Sequence, residues 1–176
     1  MPSAITIDDS DVLLAIDLQA DFMPGGALAV DEGDSVVPLV NALMNRFAHV
    51  VVTQDWHPPG HASFASTHGA EPFATKRLHY GEQTLWPDHC VRGTPGAALH
   101  AALATDKAFL ILRKGMHAGV DSYSAFVEAD TARRPPGLQR SSTRAASSAC
   151  SPAVLRPTIA SPFPRSTRAR PNSNPS

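Results

Sequence analysis

Val50-Val-Val-Thr-Gln-Asp-Trp-His-Pro-Pro-Gly-His61 opens as an apolar run of valines and then breaks. The run reads as a buried strand. Pro58-Pro59-Gly60 then turns the chain away. Asp55 and His57 lie between the two, and residues two apart on extended chain point the same way. A carboxylate and an imidazole are therefore aimed together from the end of a buried strand. In an open α/β sheet, ligands bind at that end. The plainer alternative is a solvated strand end whose Asp caps a helix.

The flanking sequence repeats the strand-then-helix pattern. Asp11–Leu18 reads as an earlier buried strand, followed by a turn at Pro24-Gly25-Gly26. Val36, Leu39, Val40, Leu43 and Phe47 have helical spacing, which predicts a helix over Val36–Phe47 capped by Asp34 or Ser35. Pro38 fits its first turn. The second strand is expected over His49–Thr53 and a third over Ala108–Leu112. Short helices are expected over Gly96–Leu103 and from Ser122 to Ala129. Between them, 56–95 is a long loop region carrying five histidines, and loops of that length in compact domains are functional or disordered. Strand, helix, strand, helix, strand predicts an α/β fold with a doubly wound parallel sheet and right-handed crossovers. Such a sheet would collect Asp17 and Asp21, Asp55 and His57, Trp86 to Cys90, and Arg113 to Gly115 along one edge.

Bulk properties narrow the classes. The 176 residues carry a formal net charge of −1, so no overall field calls for nucleic acid or a membrane surface. No apolar run approaches the ~20 residues of a membrane span, and the N-terminus lacks a signal-peptide pattern. Two cysteines are too few for a disulfide framework, which makes a reducing cytoplasm the expected compartment. The oligomeric state leaves no mark in the sequence. The averages conceal a break near residue 130. Residues 131–176 contain no Asp, Glu or Lys, but eight Arg and eight of the 16 Pro. The first 130 residues thus carry −9 and the remainder +8. The latter segment lacks hydrophobic periodicity and is expected to be a disordered tail. Among its eight arginines stands a single aromatic, Phe163, so a nucleic-acid-binding role has little support.

Four segments occur in a telling order: Ile16-Asp-Leu-Gln-Ala-Asp-Phe22, Gln54-Asp-Trp-His57, Leu85-Trp-Pro-Asp-His-Cys90 and Arg113-Lys-Gly115. Together they resemble the nicotinamidase/pyrazinamidase family of the isochorismatase-like hydrolases. The resemblance runs from about Val12 to Asp130, making 1–130 the N-terminal part of such a domain. It implies that Asp55, His57 and His89 ligate a divalent metal, with zinc first and iron or manganese also suited to the donor set. His61 would be a less certain further contact. The metal would hold the ring nitrogen of nicotinamide, with Phe22 and Trp86 sandwiching the pyridine ring. Asp17 would be the general base, and Lys114 would lower the pKa of its Cys and Asp neighbours. The implied reaction is amide hydrolysis. A thiolate attacks the carboxamide carbon, ammonia leaves, and water cleaves the thioester to give nicotinate. Cys90 beside His89 reads instead as a small buried hydrophobe, and His68, His79, His100 and His117 as packing or surface residues.

The family sets its nucleophile in an Ala-Thr-Asp-x-Cys-Val type of turn after a further strand, and this chain has no such segment. Beyond Lys114 the one candidate is Cys150, with no apolar strand before it and Pro152 after it. The tail has the composition of a GC-rich gene read out of frame. Arg156–Phe163 can be encoded CGA CCG ACT ATT GCG TCG CCT TTT. One base back, the same bases read Thr-Asp-Tyr-Cys-Val-Ala-Phe. A frame shift near residue 130 is therefore expected, and with it an impaired amidase. An inactive metal- or ligand-binding remnant of the family is the second reading.

Overall fold

The computed structural model describes residues 6–126, 128–130 and 153–155. Strand β1 (Val12–Ala15) leads into helix α1 (Val36–Met44), and β2 (His49–Asp55) follows. A hairpin, β3 (Thr75–Leu78) and β4 (Gly81–Thr84), stands apart from the main sheet. Strand β5 (Leu110–Lys114) completes a parallel trio, and β6 (Ala153–Leu155) pairs antiparallel with β1. The main sheet runs β5-β2-β1-β6. The fold is α/β around a parallel core. Among the described residues, no helix is long and apolar enough to cross a membrane.

β2 is buried along all but its first residue, as a central strand covered on both faces must be. It runs two residues further than expected, and its register sets Asp55 opposite Lys114. That same pairing carries β5 past the predicted Leu112 to Lys114. Leu13, Ala15, Val50 and Val52 pack against Val37, Val40, Met44 and Phe47. The buried stripe of α1 is thus 37, 40 and 44, while Leu39 faces solvent. The sequence places Val36, Leu39, Val40, Leu43 and Phe47 on that stripe; Val40 and Phe47 are buried, Val36 and Leu43 half-buried and Leu39 exposed, and the helix stops at Met44 rather than Phe47.

Two expected helices are corrected. No helix forms over Gly96–Leu103; a single 3-10 turn at Pro95–Ala97 ends where Ala98 becomes extended. There the chain bonds back to the segment after β1 instead, the His100 backbone N–H donating to the Leu18 carbonyl at 2.7 Å. Nor is Ser122–Ala129 helical in its described residues. Asp121 Oδ1 accepts from Ser122 N, Ser122 Oγ donates to the Ser124 carbonyl, and Ser124 Oγ accepts from Phe126 N. Short polar side chains have taken the backbone partners a helix needs. Of the tail, expected to be disordered, Ala153–Leu155 is described and forms β6, which pairs with the free edge of β1. The remainder of that expectation, Cys150 included, lies outside the described residues.

The outer edge of β5 has no strand beside it among the described residues. Phe109 there is 76% exposed and Ile111 43%. Such an edge invites association.

Candidate metal and substrate site

Three strand ends meet at one point, as a parallel sheet requires. Asp17 follows β1, Asp55 ends β2 and Lys114 ends β5. Lys114 Nζ lies 2.8 Å from Asp17 Oδ2 and 2.5 Å from Asp55 Oδ1, and all three side chains are buried. Thr53 Oγ1 donates to Asp17 Oδ1 at 2.6 Å and accepts from the Asp17 backbone N–H. Asp17 adopts a left-handed backbone with φ 52. This costs about 1–3 kcal/mol and marks a side chain aimed by its surroundings.

The electrostatics follow from burial and charge. Burial raises the Asp17 pKa, Lys114 pulls it back, Asp55 pushes it up, and the net direction is upward. A base that must collect a proton is served by that direction. Burial would lower Lys114, but the charges of Asp55 and Asp17 outweigh it and keep the ammonium protonated.

His57 and His89 stand beside Asp55, their rings 5.0 Å apart. The loop after His89 is held against His57 by paired backbone bonds, His57 N to the Cys90 carbonyl and Arg92 N to the His57 carbonyl. The buried Gln19 amide bonds both the N–H and the carbonyl of Asp55, acting as an extra strand where β1 has ended. Asp21, grouped with Asp17 by sequence, instead caps the 89–92 loop by accepting from Cys90 N at 2.7 Å.

The donor set fits a divalent cation. Asp55, His57 and His89 are buried, and one ligand atom from each falls within 4.8 Å of the others. His57 Nδ1 bonds the Gly115 carbonyl at 3.0 Å and His89 Nδ1 the Pro87 carbonyl at 2.8 Å. Each Nε2 is left as the nitrogen able to ligate, the usual arrangement of an oriented metal histidine. Burial, with His61 and His89 nearby, lowers the His57 pKa to about 3, so the ring is neutral. A second cluster, His57, His61 and Asp121, satisfies the same distance test. Its donors are already committed. His61 Nδ1 bonds Ser63 Oγ and Nε2 the Val120 carbonyl, while Asp121 accepts from Gln83 Nε2 and Ser122 N. His61 lies against the His57 ring, 4.3 Å between centroids.

A cavity of about 310 Å³ opens beside these groups. Asp17, Phe22, Asp55, His57, Trp86, His89 and Lys114 all line it, so these seven residues come to one place, while Asp21, His61, Cys90 and Arg113 lie outside its lining. Its size suits a small organic ligand. Residues 121–126 form another wall, which sequence reading missed because it assigned them to a helix. Cys90 is fully buried and is not part of the lining. Burial and the nearby carboxylates push its thiol pKa up, leaving no thiolate.

Gly115 is the least replaceable glycine here. Its φ is +65, and a Cβ would run into the His57 ring. Gly115→Ala is expected to lower stability by about 1–3 kcal/mol, read from urea denaturation midpoints. An unchanged midpoint would mean that the loop yields freely.

The Isochorismatase domain profile matches residues 11–130. The nicotinamidase of Acinetobacter baylyi is 55% identical over 119 residues, covering 67% of this chain and 56% of that protein. The chain therefore spans about half the length of the curated relatives it matches. Among solved structures, the Acinetobacter baumanii nicotinamidase/pyrazinamidase superposes with TM-score 0.73 at 48% identity, covering 76% of this chain and 64% of the other. The Pyrococcus horikoshii pyrazinamidase, solved in complex with zinc, gives TM-score 0.50 at 38% identity, over 64% and 55% of the two chains. With the profile covering more than half of its residues and the sheet order carrying the matched segments to one cavity, the chain belongs to the isochorismatase-domain family.

Proposed function

We propose that the cavity is a nicotinamidase-type amidase site. It would take nicotinamide, with pyrazinamide as a related substrate, beside a divalent metal held by Asp55, His57 and His89. The single observation carrying this reading is the meeting of a buried two-His, one-carboxylate donor set with the Asp17–Lys114 pair on one small cavity. The names of the relatives support the substrate class, and the zinc-bound pyrazinamidase supports zinc as the metal. When bound, the cation supplies a Lewis-acid anchor for the ring nitrogen. Phe22 and Trp86 pack the ring and exclude water. Lys114 Nζ holds the Asp17 carboxylate in place, and Asp17 stores the proton that the reaction releases.

Attack on the carboxamide also needs a thiolate, and among the described residues no cysteine opens into the cavity. That favours a second reading of this chain as it stands, in which the site binds metal and nicotinamide but turns over poorly. The frame shift beyond residue 130 is the proposed cause. Reading the gene across codons 125–165 decides it, and codons that do not spell Thr-Asp-Tyr-Cys-Val one base back end the idea.

The test of the site is equilibrium dialysis with zinc, then calorimetry with nicotinamide. The expected result is one ion per chain, loss of that ion in His89→Ala, and nicotinamide binding that requires the metal. Zinc retained by both Asp55→Ala and His89→Ala would sink the assignment.

A further inference from the structure

The β3–β4 hairpin buries one residue, and that residue is polar. Gln83 is 2% exposed, while every other strand position of the hairpin is exposed or half-buried. A hairpin that packs on a domain ordinarily buries apolar side chains. This one sends an amide toward the wall of the ring cavity.

The bonds around Gln83 fix their own direction. The Thr84 carbonyl and the Asp121 carboxylate can only accept, which assigns the nitrogen end of the amide, and Tyr80 donates its hydroxyl to Gln83 Oε1 at 3.0 Å. Gln83 Nε2 then faces acceptors: the Thr84 carbonyl at 2.7 Å, Asp121 Oδ2 at 2.8 Å and the Tyr123 hydroxyl at 3.0 Å. The indole of Trp86 can only donate, and it donates to the Tyr123 hydroxyl at 3.0 Å. Tyr123 in turn bonds the Asp121 carboxylate. Trp86, Tyr123, Asp121 and Gln83 thus form a closed set around one hydroxyl. Trp86 and Tyr123 both line the cavity, and Gln83 does not.

We propose that Gln83 is a positioning residue for this cavity: by holding the Tyr123 hydroxyl and the Asp121 carboxylate together, it fixes the indole of Trp86 against the space that receives the ring. This rests on the reading of the cavity as a nicotinamide site. A residue that merely satisfied Asp121 would leave Trp86 where it is when lost. A positioning residue would release it. The indole also meets the rings of Phe73 and Tyr123 edge-on, at 6.0 and 6.4 Å between centroids, and Tyr123→Phe keeps both of these contacts while removing the hydroxyl.

The experiment uses the full chain carrying Trp56→Phe, which leaves Trp86 as the one remaining tryptophan of two. Zinc affinity, nicotinamide affinity and acrylamide quenching of Trp86 are measured for Gln83→Met, Tyr123→Phe and the double variant. Each single change is expected to weaken nicotinamide binding roughly tenfold, the scale of one lost buried hydrogen bond. Each also increases quenching, with zinc affinity unchanged. The double variant is expected to be no worse than either single, because both act through one hydroxyl. Additive losses, or a Tyr123→Phe protein with unchanged quenching, overturn the proposal. If the parent chain binds no nicotinamide, the functional reading fails, and the quenching series still decides the positioning role. If Gln83→Met does not fold, Tyr123→Phe alone decides it.

Discussion

Purified and loaded with zinc, the 176-residue chain is expected to release ammonia from nicotinamide no faster than the same protein stripped of metal. The cavity gathers Asp17 and Lys114 with Asp55, His57 and His89, the proposed base, ammonium and metal ligands, but no cysteine is among its described lining. Asp17 and Lys114 cannot substitute for it. A carboxylate held by an ammonium in a buried pair is a weak nucleophile, and the ammonium keeps its proton. Cys90 has a sulfur, yet it is fully buried with a raised pKa, and the thiolate is the reactive form. Loss of the nucleophile from a comparable catalytic triad costs about 10⁶ in turnover, because the remaining members have nothing to activate. A protein made from the gene re-read one base back beyond residue 130 is therefore expected to gain activity by about that factor. The measurement is ammonia release, coupled to a dehydrogenase, on both proteins side by side. Turnover by the chain as written that survives repurification and falls on adding a chelator would refute both the expectation and the frame-shift account.

The site was legible in the sequence to the extent that strand ends carry it. Asp17, Asp55 and Lys114 each follow an apolar run, and a parallel sheet must bring such ends together. His89 and Trp86 sit in a loop where no periodicity applies, and only resemblance to a family marked them. Gln19, Gln83 and Gly115 went unread for another reason. Their roles depend on what they meet across the fold: a strand terminus, a tyrosine from a distant segment, and an imidazole. The misread helices have a local cause. Ser122 and Ser124 have acceptable helix neighbours, but their hydroxyls bond nearby backbone and hold the wall of the cavity in a turned form. The phase of α1 was likewise misjudged, because packing against the sheet buries Val37 and leaves Leu39 in water.

Lys114→Met is expected to destabilise the metal-free chain by about 3–5 kcal/mol, the scale of breaking a buried ion pair by deleting one partner. Lys114 is 4% exposed, and its ammonium is shared by Asp17 and Asp55. Methionine fills the same volume, so the loss measures charge and not a cavity. What remains is two carboxylates near one another and out of water, a state that each relieves by taking up a proton. The pH dependence then identifies the cause. In the parent chain, the raised pKa of Lys114 gives stability that is fully present below the unfolded lysine value and is lost as pH rises through the higher folded value. In the variant, the folded state holds more protons on its carboxylates than the unfolded state does. Its stability therefore falls as pH rises above the ordinary carboxylate range, and it recovers on acidification. Urea denaturation in a chelator across pH 4 to 9 should show the gap between the two proteins narrowing toward acid. A gap that stays constant with pH would assign the loss to packing. A divalent ion that restores the variant more than the parent would place its positive charge beside the same two carboxylates that the lysine now serves.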